Sequence, residues 1–321
     1  MKILDIRVNS IKEFQTTFEQ FGFHFQSFQI EQGKFHARIR IALLGHHIFF
    51  EWETKLSIGC VGEPCKDFMT LSFLEPAVGA VGTLTTLGET IDGNWLCGIA
   101  QHRAGELNFV LPRGRYLFAL IPPVGLRERF MANAGEVAAM TWDAQNCRLL
   151  TPGAHAKLKN LVEQRLVAPG MDENGCSAEV LEQCFCEALL AHMTAPQLQP
   201  ELLKNQDLIL SFTREFIKRD DFRPVKLEDI LATVNSSKGP LSRACKETFG
   251  IKSPLKILKL HRLAQARELL INPELRSQYK ELGRKASCKA VGEFVGWKSR
   301  PQFSAAYSEQ FCNPPSECYV A

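Results

Sequence analysis

Lys238, Gly239, Ser242, Arg243 and Lys246 fall on one side of a helix, opposite Leu241, Cys245 and Phe249 at i, i+4, i+8. Their chemistry is hydrogen bonding and charge rather than bond making. Lysine is a compact cation suited to phosphate, and arginine is a planar fork that can bond a guanine edge twice. A second set repeats the plan: Lys298 and Ser299 in a turn, then Arg300, Gln302 and Ala305 opposite Phe303, Tyr307 and Phe311. The two apolar ladders stand a constant 62 residues apart.

Bond-making chemistry finds no comparable constellation. A cupin-type metal site needs an H-x-H cluster with a further Glu and His on facing strands, and no H-x-H occurs. His46 and His47 are adjacent, so on a strand they point to opposite faces and cannot chelate one ion together. Neither G-x-S-x-G nor H-E-x-x-H is present, nor is a phosphate-cradling G-x-x-x-x-G-K-[ST] or G-x-G-x-x-G. Cys184 and Cys186 are two apart on a predicted helix and do not share a face. The sequence therefore points away from an enzyme, and to no metal and no cofactor. Trp52, Trp95 and Phe109 could line an effector cavity, although strand aromatics also serve as plain core.

Each cationic set belongs to the same kind of element. Leu227, Ile230, Leu231 and Val234 keep a helical period, Asn235-Ser236-Ser237 makes a turn, and the ladder at Leu241 follows, which is a helix-turn-helix pattern. In the second copy Ala290, Val291, Phe294 and Val295 give the first helix and Gly296-Trp297-Lys298-Ser299 the turn. A helix from Pro254 joins them, with Ser253 at its N-cap and Pro254 at its first position.

Arg262-Leu263-Ala264-Gln265-Ala266-Arg267-Glu268-Leu269-Leu270, the Gly296-Trp297 turn and a closing Phe311, Pro315, Ser316 occur in the order R-L-x-x-A-R-x-L-L, G-aromatic, F-x-x-x-P-S. In this the last hundred residues or so resemble the DNA-binding domain of the AraC/XylS family of transcription regulators. Gly33-Lys34-Phe35-His36 and the Pro-Arg-Gly turn, with the helices after it, are similar to the subgroup that includes the ethanolamine-utilisation activator. The resemblance implies an effector-responsive activator that works as a homodimer on double-stranded promoter or operator DNA, with RNA polymerase as a partner. By position in that pattern Gly239, Ser242 and Arg243 match base-approaching sites. Ala305, Pro301, Cys312 and His261 depart from it: a basic residue is common at the first, glycine at the third, and an aliphatic residue at the fourth. The segment from Asn272 to Ala286 is also longer than the pattern expects. The alternative is a DNA-binding regulator whose N-terminal part mediates only protein interaction.

The remainder of the chain fits a sensing partner. Of 38 Lys and Arg and 35 Asp and Glu, 20 and 13 lie from Gln206 onward, a net +7 that leaves −4 before it. Near-alternating runs at Phe21–Phe28 and Phe35–Ile41, and candidates at His47–Leu56, Phe68–Phe73, Trp95–Gln101, Leu107–Leu111 and Tyr116–Ile121, predict a β-sandwich or barrel. The last pair reads as a hairpin around Pro112-Arg113-Gly114. Helical periods follow at Leu126–Met140, Ala154–Leu166 and Ala178–Met193 and are expected to pack on the barrel and supply a dimer surface. The expected fold is α+β: a β-barrel or cupin-like domain with packed helices over 1–193, a linker over 194–205, and an all-α domain with two helix-turn-helix units over 206–321. Eleven cysteines without C-x-x-C spacing, no signal peptide and no membrane-length apolar run predict a cytoplasmic protein with free thiols.

Overall fold

The nearly unbroken apolar run at Tyr116–Ile121 accounts for the N-terminal architecture. In the computed structural model it lies in a strand, β11 (Gly114–Ile121), with Tyr116, Phe118 and Leu120 in one apolar core and Leu117, Ala119 and Ile121 in another. A strand covered on both faces loses alternation and reads as continuous hydrophobicity. The structure describes residues 3–80, 84–91, 93–100, 102, 107–136, 146–167, 178–190, 201–202, 205–217 and 222–320.

β11 sits in the middle of a seven-stranded antiparallel sheet with β1 (Ile3–Val8), β3 (Ala37–Leu44), β4 (His47–Thr54), β6 (Met69–Pro76), β9 (Trp95–Cys97) and β12 (Cys147–Leu149), in the order β1-β3-β4-β11-β6-β9-β12. Facing it is a six-stranded sheet, β13 (Glu201–Leu202), β8 (Glu89–Thr90), β7 (Thr85–Thr86), β10 (Leu107–Leu111), β5 (Ile58–Glu63) and β2 (His24–Gln29). Between the sheets lies an aromatic core. Helix α1 (Ile11–Glu19), capped by Ser10, presses Phe14 and Phe18 into it beside Trp52, with ring centroids 4.2 and 5.5 Å away. On the outer face of the seven-stranded sheet, α2 (Pro123–Ala134), α3 (Pro152–Val167) and α4 (Ala178–Leu190) bury Leu126, Phe130, Leu158, Val162 and Phe185. The expected helices thus pack on the sheets; residues 137–140 and 191–193 of their expected spans lie outside the described residues.

The expected hairpin at Pro112-Arg113-Gly114 is not formed. β10 pairs with β5 and β7, whereas β11 pairs with β4 and β6, so the chain crosses from one sheet to the other there. Polar groups of the connection are engaged sideways. Arg113 N donates to Ser57 Oγ at 3.0 Å, Ala77 N donates to Arg113 O at 2.7 Å, and the Tyr116 hydroxyl donates to the Pro112 carbonyl. Within the segment read as a linker, Glu201–Leu202 pairs with β8, and residues 194–200 lie outside the described residues.

From Gln206 onward the described elements are helical: α5 (Gln206–Ile217), α6 (Leu227–Thr233), α7 (Lys238–Phe249), α8 (Pro254–Ile271), α9 (Pro273–Ser277), α10 (Cys288–Phe294), α11 (Arg300–Phe311) and α12 (Pro315–Cys318). The chain is therefore α+β, with antiparallel sheets first and helices after. No helix among the described residues is long and apolar enough to cross a membrane.

Candidate nucleic-acid interface

The two helix-turn-helix units are built on one register. α7 and α11 are both twelve residues long and begin 62 residues apart, as do their C-caps, Gly250 and Cys312. Each unit turns through a left-handed residue, Asn235 at φ 46° in the first and Gly296 at φ 94° in the second, where asparagine and glycine cost least. α8 serves both. Ile257, Leu258 and Leu260 in its first half join the core of the first unit, and Leu263, Ala266, Leu269 and Leu270 in its second half join that of the second. An R-L-x-x-A-R-x-L-L sequence is thus the half of a shared helix that faces unit two.

Its arginines brace the units. Arg262 donates to the Val225 carbonyl ahead of α6, and Arg267 lies 4.8 Å over the ring of Phe311 in α11. The long segment after α8 is held by Arg276, fully buried, which donates to the carbonyls of Leu269 and Leu270 at 2.8 Å, of Arg284 at 3.0 Å and of Val320. It satisfies the carbonyls that end α8 and ties down the chain's last turn. Residue type alone gave no sign of this, since a single arginine in a polar segment reads as solvated.

On the faces opposite the cores stand the residues singled out by spacing. Lys238, Gly239, Arg243 and Lys246 are exposed and Ser242 is half-buried; Lys298, Arg300, Gln302 and Ala305 are exposed and Ser299 is half-buried. The five cations make no ion pair among the described residues, which leaves their charge available to an anionic partner. A Cβ on Gly239 would meet nothing within 4 Å, so the fold itself does not require glycine there. Ser299 Oγ accepts from Gln302 N at 3.3 Å and caps α11. Ser237 and Ser253 occupy N-cap positions, yet their side chains make no cap bond.

His261, unusual in the resemblance, is explained by its surroundings. It is buried where α8 meets the six-stranded sheet, with Nε2 3.4 Å from Gln26 Oε1 of β2. Burial, with Arg262 beside it, pushes its imidazole down to about 4. A cleft of about 690 Å³ with a mixed polar and apolar lining opens at this junction, with Lys12, His24, Gln26, His261 and Arg267 in its walls and a 3.3 Å ion pair from Lys12 to Glu268.

Of the three aromatics considered for an effector, Trp52 and Phe109 line one cavity between the sheets, together with Thr70, Ser72, Thr85 and Cys97. Trp95 is buried in the same core but does not line it. The cavity holds about 70 Å³, and Trp52 Nε1 is buried without an acceptor among the described residues. No group of three or more His, Cys, Asp or Glu among the described residues could hold a metal ion. His46 and His47 are separated as their adjacency requires. His46 is exposed, while His47 is buried 2.9 Å from Glu182 of α4, its imidazole lowered by burial against the opposing pull of that carboxylate. Cys186 is buried, its thiol pushed up to about 11 by burial, and Cys184 is half-buried.

No protein-family model matches the sequence, and no curated protein matches it. Among solved structures, the chain is similar to the AraC-like transcriptional activator CuxR at 12% identity over 82% of this chain and 95% of that one, with a TM-score of 0.38. It is also similar to ToxT from Vibrio cholerae O395 at 12% identity over 91% and 96%, TM-score 0.27, and to ToxT bound to (E)-4-(8-methylnaphthalen-1-yl)but-3-enoic acid at 10% identity over 98% and 97%, TM-score 0.28.

Proposed function

We propose that this protein is a sequence-specific DNA-binding transcription regulator of the AraC/XylS type. The observation that carries the reading is the repeat itself: two helix-turn-helix units on one 62-residue register, each exposing, on the face opposite its core, cations that make no ion pair among the described residues. In such motifs the start of the second helix enters the major groove and its neighbours hold phosphates. Lys238, Gly239, Ser242, Arg243 and Lys246 take these roles in the first unit, and Lys298, Ser299, Arg300, Gln302 and Ala305 in the second. Residues 206–321 form the DNA-binding domain, 1–193 the sensing and dimerisation domain, and 194–205 the connection. The protein acts as a homodimeric activator in contact with RNA polymerase.

Full-length protein selecting from a randomised duplex library tests this. A defined motif is expected, with affinity falling roughly 10³-fold between 50 and 200 mM salt if about six phosphates are neutralised. Absence of a motif, or binding indifferent to salt, overturns the reading.

An effector held between the sheets would fill the cavity at Trp52 and Phe109 and offer an acceptor to the Trp52 indole N–H. At about 70 Å³ the space suits a molecule of only a few heavy atoms, well under the roughly 300–1,000 Å³ of pockets for drug-sized ligands. The same small volume favours the second reading, an N-terminal domain that mediates protein interaction without a ligand. Thermal stabilisation by a small acceptor-bearing compound, lost in Trp52→Phe, separates the two.

A further inference from the structure

The six residues Phe28–Gly33, which end β2 and continue beyond it, reach the C-terminal ends of both α7 and α11. The outward ring of Phe28 enters the core of the first unit, 5.6 Å from Phe249 at the end of α7, with the planes at 61°. It can lie there because its cross-strand partner is Gly59: a Cβ at that position would sit 2.6 Å from the Phe28 ring. A few residues on, the segment closes around Gln310 near the end of α11. Gly33 N donates to the Gln310 carbonyl at 2.9 Å, Gln29 Nε2 donates to that carbonyl at 3.3 Å, and Gln310 Nε2 donates to the carbonyls of Gln29 and Glu31 at 3.3 and 3.1 Å. Gln32 Nε2 donates to Glu309 Oε1 at 2.8 Å beside them.

The two points are equivalent in the repeat. Phe249 lies 62 residues before Phe311, the neighbour of Gln310. One short segment of the N-terminal sheets therefore holds corresponding ends of the two helices, a second tie between units joined in sequence through α8. Gln310 and Gln29 are 5% and 3% exposed, so these bonds are made out of water, where breaking them leaves buried polar groups unpaired. The attachment is also remote from the groove-facing residues. A twelve-residue helix is about 18 Å long, and Lys238 and Arg300 stand at the opposite ends of α7 and α11. DNA at those starts does not require the segment to let go.

We propose that Phe28, Gln29 and Gln310 are positioning residues that fix the separation at which the two helix-turn-helix units meet DNA, and so set the spacing between the two base-pair segments the protein recognises. This rests on the DNA-binding reading above and adds that spacing is decided by the N-terminal sheets as well as by α8. It concerns distance and helical phase, and leaves base preference within each segment to the residues on α7 and α11.

The test uses the full chain, with Phe28→Ala and Gln310→Met compared with wild type on duplexes whose two selected segments are moved apart or together by one to three base pairs. Wild type is expected to lose about tenfold or more in affinity on leaving its preferred spacing, because duplex or protein must deform to restore contact. In the variants that discrimination should fall to about twofold to threefold with the base preferences of each segment unchanged, a pattern that general weakening of the fold would not give. Variants that melt like wild type and keep its spacing preference overturn the proposal. Should Phe28→Ala not fold, Gln310→Met decides alone, since it keeps the side-chain length and removes only the two bonds that the side-chain amide donates to the carbonyls of Gln29 and Glu31. A wild type that selects no motif overturns the DNA-binding reading and this proposal with it. A wild type with a motif whose spacing preference survives both changes overturns this proposal only.

Discussion

The first and second helix-turn-helix units share a register but differ in what steadies them and in what they offer. The first shares its core with the N-terminal sheets: Phe28, Ile30 and Val110 pack among Leu241, Cys245 and Phe249. It ends α7 on Gly250 at φ 68° and exposes Lys238, Arg243 and Lys246 along that helix. The second has a core of its own, is tied to the sheets by hydrogen bonds at Gln310, and depends on buried Arg276 to close α8 and hold the last turn. It ends α11 on Cys312 in the same left-handed conformation and presents Ala305 where a long polar side chain could stand. On the proposed DNA-binding reading, similar backbones would carry different work: the first has the side chains to reach base edges as well as phosphates, and the second has Lys298, Arg300 and Gln302 clustered at its start, where contact with the DNA backbone would dominate.

The contrast in stability is the largest effect expected. Arg276→Met should destabilise the second unit by about 3–5 kcal/mol, because buried carbonyls at the end of α8 lose a charged donor; urea denaturation of the full chain measures it. Loss of less than about 1 kcal/mol would mean the second unit does not depend on this anchor.

Acid should act where α8 meets the six-stranded sheet. Folded His261 stays neutral down to about pH 4, whereas the unfolded chain takes up the proton near the ordinary 6.5. The unfolded state binds more protons between those values, so stability is full above about pH 6.5 and falls toward pH 4, by about 3 kcal/mol in all from this residue. Denaturation of His261→Leu across that range should show a flatter pH dependence than wild type by about that amount. Parallel curves for the two proteins would refute the assignment.

Two smaller changes separate stability from binding. Cys312→Gly relieves a left-handed backbone at a residue with a Cβ and should stabilise by about 1 kcal/mol, bringing the second C-cap to parity with Gly250. Gly239→Ala meets open space and should also stabilise, by about 0.5–1 kcal/mol, while lowering DNA affinity if the bare backbone admits the duplex. Unaltered affinity in Gly239→Ala would remove Gly239 from the interface.

The helical half was legible because each helix there buries one face and leaves the ladders at Leu241, Cys245, Phe249 and Phe303, Tyr307, Phe311 in plain period. The sheets were less so. Strands buried on both sides, as at Tyr116–Ile121, blur into uniform hydrophobicity, and in β5 Gly59 and Gly62 take away the side chains whose alternation marks a strand. The false hairpin at Pro112 arose from sound turn chemistry placed between strands of different sheets. Helix α1 was missed because Phe14 and Phe18 are the only large apolar residues it buries. The candidate interface residues were accessible to spacing arguments, whereas Arg276, Arg262, Arg267 and Gln310 serve contacts between segments distant in sequence, which no local pattern records.

The division of labour between the units is tested most directly by binding Arg243→Ala and Arg300→Ala to a randomised-site library over a range of salt. Arg243→Ala is expected to cost about 1–3 kcal/mol and to relax preference at one or two base pairs, because it removes a fork that can bond a base edge twice. Arg300→Ala is expected to weaken all sequences alike and to make the salt slope shallower by about one. A changed motif in Arg300→Ala together with an intact one in Arg243→Ala would contradict the account.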